Sequence, residues 1–217
     1  MFITYCPVCR LPGGDAFRLC PSCMRLAQKD MFDSFMIRCP VCLKPLVSTQ
    51  YYCTVCAMRI YSLFDYGAPF MRRVMEDWKF NSNRKLSPLM GNFYHQALSD
   101  LGLEKTDCTL VKVPSTRKND QMNDIIRFLK RKKGYEVADI IISDKEHAVQ
   151  QKTLNRKERI EQASKKFFLR QNCTFPSNRI VILDDITTTG ASLEACRKLL
   201  EENSMQVWGA VTLLREL

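Results

Sequence analysis

Apolar residues recur along this chain in two rhythms. Ile180-Val181-Ile182-Leu183 is apolar at four successive positions, which suits a strand buried on both faces of a parallel sheet covered by helices. Two carboxylates, Asp184 and Asp185, follow at its carboxyl end, the place where open α/β sheets bind ligands. Thr187-Thr188-Thr189-Gly190-Ala191-Ser192 then supplies hydroxyls, small side chains and a pliant backbone. A helix is predicted over Leu193 to Asn203, with Leu193, Cys196, Leu199 and Leu200 on one stripe, and its N-terminus would favour an anion held by the preceding turn. Helical spacing recurs at Met71, Val74, Met75 and Trp78 after Pro69, and again from about Leu86 to Leu101. The polar Asn81-Ser82-Asn83-Arg84 run separates these two helices. Beyond them come a strand at Thr109 to Val113, a helix at Gln121 to Lys133, a strand at Ala138 to Ser143 and a last strand at Trp208 to Leu214. Strands alternating with helices predict an α/β domain with a mostly parallel sheet.

The first 60 residues follow neither rhythm. Cysteines stand at 6, 9, 20 and 23 and again at 39, 42, 53 and 56, so the second set repeats the first with a shift of 33. Pro7-Val8 recurs as Pro40-Val41, and Pro12 as Pro45. Each unit is Cys-x2-Cys-x10-Cys-x2-Cys, and two CxxC turns closing a short loop present four thiolates to one ion. The repeat favours ligation by Cys6, Cys9, Cys20 and Cys23 and, separately, by Cys39, Cys42, Cys53 and Cys56, over a scheme that mixes the units. Two structural zinc ions are expected, in preference to disulfides or an iron–sulfur cluster. Units this small have little core of their own, so metal supplies their folding free energy. Met24 to Phe35 reads as a short helix or linker between them. The expected organisation is therefore a tandem four-cysteine zinc-ribbon module at 1–60 followed by an α/β domain at 61–217.

Composition narrows the setting. The chain has 217 residues, 46% hydrophobic and 26% charged, which marks a globular protein with no apolar run long enough to span a membrane. Tyr5-Cys6-Pro7-Val8-Cys9-Arg10 interrupts any signal-peptide pattern, so a cytoplasmic location is expected, where cysteines serve as metal ligands more often than as disulfides. The formal charge is +10; two zinc ions on eight thiolates would lower it to about +6. A basic chain suits nucleic acid, although a phosphorylated metabolite or plain solubility accounts for the same surplus.

Ile180 to Ser192 resembles the type I phosphoribosyltransferases, whose phosphoribosyl pyrophosphate (PRPP) motif is four apolar residues, two acids, one apolar residue and a Thr/Gly-rich loop. All thirteen positions fit. The resemblance implies that Asp184 and Asp185 bind the ribose 2′- and 3′-hydroxyls, and that the turn through Thr187, Thr188, Thr189, Gly190, Ala191 and Ser192 holds the 5-phosphate. Magnesium would accompany PRPP in an active pocket. Zinc ribbons ahead of such a domain are similar to the ComF family of late competence proteins. Trp78-Lys79-Phe80-Asn81 resembles that family's Lys-Tyr/Phe segment, with Asn83 at a position the family fills with an acid. Val113-Pro114-Ser115 resembles its pyrophosphate-loop region, and Gln151 to Arg159 resembles its Gln-x-x-Leu-Ser-Arg-x-x-Arg run, with Asn155 for Ser. Phe167 stands at the position of the family's Ala-Phe strand. The family's Arg-Gly-Phe-Asn-Gln is matched only by Arg117 and Gln121. The resemblance thus makes Pro114, Ser115, Arg117, Gln121, Arg156 and Arg159 candidate contacts to pyrophosphate or nucleic acid.

Two basic clusters remain. Lys130-Arg131-Lys132-Lys133 ends a helix, where cations complement the dipole and a solvated face suffices. Arg156 and Arg159 lie three apart and would share a helical face able to grip pyrophosphate or a nucleic-acid backbone, with surface solvation an equal alternative. His95 and His147 have no partner in the sequence, and Cys108, Cys173 and Cys196 read as core or loop thiols. By resemblance the expected role is handling of single-stranded DNA during natural transformation, alongside DNA-uptake proteins, with a pocket for PRPP or a ribose phosphate. The alternatives are a phosphoribosyltransferase acting on a nucleobase or an amine, and a metabolite-sensing binding module.

Overall fold

The computed structural model describes residues 4–15, 18–31, 52–53, 58–115, 120–143, 166–171 and 179–216. The first element is helix α1, Pro21–Lys29, and strands β1, Tyr52–Cys53, and β2, Met58–Asp65, follow. Helices α2, Pro69–Lys79, and α3, Ser87–Asp100, are joined by a 3-10 turn at Arg84–Leu86. Then come β3, Cys108–Lys112, and α4, Met122–Phe128, which runs on as a π-helical turn through Leu129–Lys133. Short strands β4, Glu136–Val137, β5, Ile141–Ser143, and β6, Phe167–Leu169, precede β7, Arg179–Thr187, α5, Ala191–Glu202, and β8, Val207–Arg215.

The main sheet has the order β1-β2-β8-β7-β3-β4. Strands β2, β8, β7, β3 and β4 are mutually parallel, and β1 adds an antiparallel edge. The α/β architecture and its mostly parallel sheet are therefore as the pattern predicts. Apolar positions alternate between two cores, as the period of a strand demands. Leu110, Val181, Leu183, Val211 and Leu213 face α2, α3 and α4, while Val111, Ile180, Ile182 and Ala210 face α5.

Two stretches differ from expectation. Ala138 to Ser143 is not one strand. Its first residues continue past β4, whose partner is β3, and Ile141–Ser143 leaves the sheet to pair antiparallel with β6. Tyr61 to Gly67, where the pattern predicts no strand, lies mostly within β2 and pairs with β8 over Ile60 to Asp65. The Ser62 and Thr212 hydroxyls meet at 2.7 Å inside that pair, which satisfies two polar groups where an apolar pattern would have announced the strand.

The first cysteine unit packs directly on this domain. Cys6, Leu19, Cys20, Cys23 and Ala27 share one core with Phe64, Met71 and Trp78. Asp30, just after α1, accepts a 2.6 Å hydrogen bond from the Met71 backbone N–H, which caps the N-terminus of α2 and satisfies one of its free donors.

Candidate functional site

The direction of strand order reverses between β3 and β7. From β3 the chain moves outward to β4, and from β7 it moves the other way to β8. Such a switch point leaves a crevice at the carboxyl ends of the two strands. Pairing of β3 to β7 stops at Lys112 and Leu183, with one further bond from Val113 N–H to Leu183 O. Strand β7 stays paired to β8 as far as Thr187 and Arg215. Asp184 and Asp185 thus stand on an edge that β3 leaves open, inside the strand and not after it.

Strand alternation sends the two carboxyls to opposite faces. Asp185 faces α2, where the Lys79 Nζ reaches it at 2.5 Å; both side chains are mostly buried. Asp184 is level with Thr212 on the α5 face, and its Oδ1 accepts the Asp185 N–H at 3.0 Å. Burial pushes the Asp184 carboxyl up to about 8; the negative charge of Asp185 adds to the rise and Lys79 opposes it. The backbone here is held by Tyr94 of α3, a buried residue whose hydroxyl donates to Asp184 O at 2.5 Å. Replacing Tyr94 by Phe leaves that carbonyl without its donor and is expected to cost about 1–3 kcal/mol. Urea unfolding at fixed pH measures this; a loss below about 0.5 kcal/mol would mean that the contact does little.

The turn beyond β7 has the geometry an anion needs. Gly190 takes the left-handed conformation with φ 70° and serves as N-cap of α5, a backbone state that side chains with Cβ disfavour. The Thr189 hydroxyl meets Ala191 N–H at 3.4 Å, and the following N–H groups open a helix of 12 residues. Thr188 is exposed, and Thr189 and Ser192 are half-buried. The Thr187 hydroxyl is buried with no hydrogen-bond partner among the described residues.

The other candidates are placed unevenly. Pro114 and Ser115 are half-buried just past β3, at the rim of the same crevice. Gln121 is buried, and its amide donates to Lys79 O at 3.1 Å, so it ties α4 to the end of α2 that carries Lys79. Lys112 and Asp120 pair at 2.5 Å across the loop between β3 and α4. Arg117, Arg156 and Arg159 lie outside the described residues, as do His147 and Cys173. His95 is hydrogen-bonded to the Tyr135 hydroxyl at 3.3 Å, while Cys108 and Cys196 are buried. Tyr94 and Asp30 were not legible as functional positions in the sequence, because their partners lie far away along the chain.

Cys6, Cys9, Cys20 and Cys23 converge, with all four sulfurs within 4.8 Å of one another. Cys20 is the N-cap of α1 and Pro21 its first residue, so the second CxxC opens a helix while the first closes a turn in which Arg10 N–H donates to Cys6 O at 3.0 Å. Four thiolates in that compass fit zinc, whose bonds to sulfur are about 2.3 Å. In the second unit only Cys53, at the end of β1, is among the described residues; Cys39, Cys42 and Cys56 lie outside them.

No protein-family model matches the chain. Among curated proteins it is similar to Competence protein ComFC of Streptococcus pneumoniae, with 26% identity over 172 residues that cover 76% of this chain and 74% of that protein. The likeness supports a ComF-family assignment. Among the described residues no helix is long and apolar enough to cross a membrane.

Proposed function

We propose that this ComF-like protein handles single-stranded DNA in natural transformation and carries a pocket for PRPP or another ribose phosphate. The observation that carries the pocket is the reversal of strand order between β3 and β7, with β7 running on past the end of β3. One strand delivers two acids to an unpaired edge, and the next turn offers the free N–H groups of a helix N-terminus. Carboxylates accept hydrogen bonds from a sugar diol, and oriented N–H groups receive a phosphate. The unsatisfied Thr187 hydroxyl is a further polar group at the mouth of that turn. The formal charge of +10 supports an extended polyanionic partner. Two structural zinc ions, one in each cysteine unit, complete the proposal, and uptake proteins are its natural neighbours.

Calorimetry on the zinc-loaded chain provides the test, with PRPP, ribose 5-phosphate and a single-stranded oligonucleotide as titrants. Both sugar phosphates are expected to bind, and Asp185→Ala is expected to weaken them at least tenfold, because it removes one acceptor and leaves Lys79 without its partner. Equal affinity of the variant, or no heat from either sugar phosphate, would remove the pocket.

The Lys79–Asp185 pair favours a second reading. A cation beside the ribose-binding acids is placed to neutralise a departing pyrophosphate, so transfer of phosphoribosyl to a nucleobase or an amine fits the same crevice. Magnesium would enter with PRPP. Pyrophosphate release with one acceptor out of a panel would establish transfer, whereas background release throughout would leave a binding pocket without turnover.

A further inference from the structure

A second concave site lies on the same face of the sheet as Lys79 and Asp185. Helix α4 and its π-helical extension pack one stripe, Met122, Ile125 and Leu129, into the core. The neighbouring stripe, Asn123, Ile126, Arg127, Lys130 and Arg131, follows helical spacing and lines a cavity of about 450 Å³. Its opposite wall is the sheet edge at Val137, Ala138 and Asp139, and Lys112 closes the end at the carboxyl terminus of β3. Four cations therefore face one carboxylate. Asp139 is already paired with Arg170 at 2.7 Å, Lys112 with Asp120 and Arg127 with Asp124. Lys130 and Arg131 have no ion-pair partner among the described residues. The usual account of cations ending a helix, which needs only solvent, does not explain why they border a cavity with an apolar floor.

We infer that this groove is the seat of a single-stranded nucleic-acid segment, with Lys130 and Arg131 on its phosphates and the Ile126–Val137 floor beneath a base or sugar. The volume falls in the range of small-ligand sites, about 300–1,000 Å³, and so admits a nucleotide unit. Charge complementarity selects a polyanion, and a positively charged groove that tracks the backbone is the electrostatic part of how single strands are held. Lys112 is in register with Leu183, the residue before Asp184, so the groove ends beside the ribose-phosphate crevice. A strand lying in it would present a ribose phosphate to that crevice. The inference rests on the strand-handling reading above.

Fluorescence anisotropy with a labelled single-stranded oligonucleotide tests it on the full, zinc-loaded chain. Lys130→Ala/Arg131→Ala is compared with Lys132→Ala/Lys133→Ala, which removes equal charge from residues that do not line the cavity. The first variant is expected to lose about tenfold or more in affinity at moderate salt and to flatten the salt slope by ~1.4, the value for two single-strand phosphate contacts. The control should lose much less, and both should melt with the parent. Equal losses would reduce the effect to bulk charge and overturn the groove while leaving strand handling in place. No binding by the parent would overturn both. Competition by a nucleoside monophosphate as effective as that of the strand would replace the single strand with a free nucleotide, and would also overturn the inference.

Discussion

Asp184→Asn is expected to make the protein more stable at pH 8 while abolishing the binding of ribose phosphates. The physical cause is the position of the carboxyl within β7, on the stretch that β3 leaves unpaired. It is largely removed from water, it sits next to the charge of Asp185, and its pKa is about 8 in the fold. An aspartate in the unfolded chain titrates near ~3.9. The fold therefore holds the proton more tightly than the unfolded chain does. The resulting contribution to stability is fully present below ~3.9 and is lost as pH rises through about 8. Asparagine has no proton to lose, so the advantage of the variant should widen steadily across that window. After discounting for the water that still reaches the carboxyl, a gain of ~2 kcal/mol at pH 8 is a reasonable magnitude. Denaturant unfolding at pH 6 and pH 8, where thiolate ligands keep their metal, measures the gap. An advantage that is equal at both values, or a loss of stability at pH 8, would refute the assignment of a reluctant acid. The same variant replaces a carboxyl of the crevice with an amide, so loss of sugar-phosphate binding should accompany the gain, a trade common at functional sites.

The residues that carried this site in the sequence did so because their relations are local. A four-residue apolar run, two acids, a hydroxyl-rich turn and a helical stripe lie within one βα unit. Their spacing placed α5 and the start of β7 within a residue or two of where they are, while β7 runs four residues past the apolar run, through both acids to Thr187. The same holds for the face of α2, where Met71, Val74, Met75 and Trp78 are the buried residues, and for the convergence of Cys6, Cys9, Cys20 and Cys23. What escaped is non-local. Strand β2 announces itself weakly because Ser62 faces the hydroxyl of Thr212, 150 residues later. The split of β4 from β5 depends on two different partner strands. Lys79 is marked in the sequence only through the resemblance of Trp78-Lys79-Phe80-Asn81 to a family segment, and only the parallel order of the sheet brings it to Asp185. Tyr94 is likewise one more large residue on an amphipathic helix until its hydroxyl meets a carbonyl 90 residues away. The π-helical turn at Leu129–Lys133 belongs with these, since a run of basic residues gives no sign of the cavity beside it.

Withdrawing the metal is expected to destabilise the whole chain and not only its first residues. Structural zinc held by thiolates contributes ~10–16 kcal/mol of apparent binding free energy in small modules, far more than a unit of this size can draw from its own core. Here the cysteines are part of the main core. Cys6, Cys20 and Cys23 are almost fully buried among the residues that also surround Met71 and Trp78. The strand bridge from Met31 to Phe64 and the cap from Asp30 to Met71 N–H tie the unit to β2 and α2. If the cluster opens, α2 loses its cap, at a cost of ~1 kcal/mol. It also loses apolar cover over its first turns, and its far end holds Lys79 against Asp185. Chelation, or Cys20→Ser, should therefore lower the melting temperature of the α/β domain by ten degrees or so, the shift expected for a few kcal/mol in a chain of this length. It should also weaken ribose-phosphate binding without touching a residue of the crevice. Zinc counting alongside the melt separates the two cysteine units. Cys20→Ser should remove one equivalent if each unit holds its own ion and both if ligands are shared between them. An α/β domain that melts unchanged after complete metal loss would show that the shared core carries no coupling, and the cluster would then be an independent appendage.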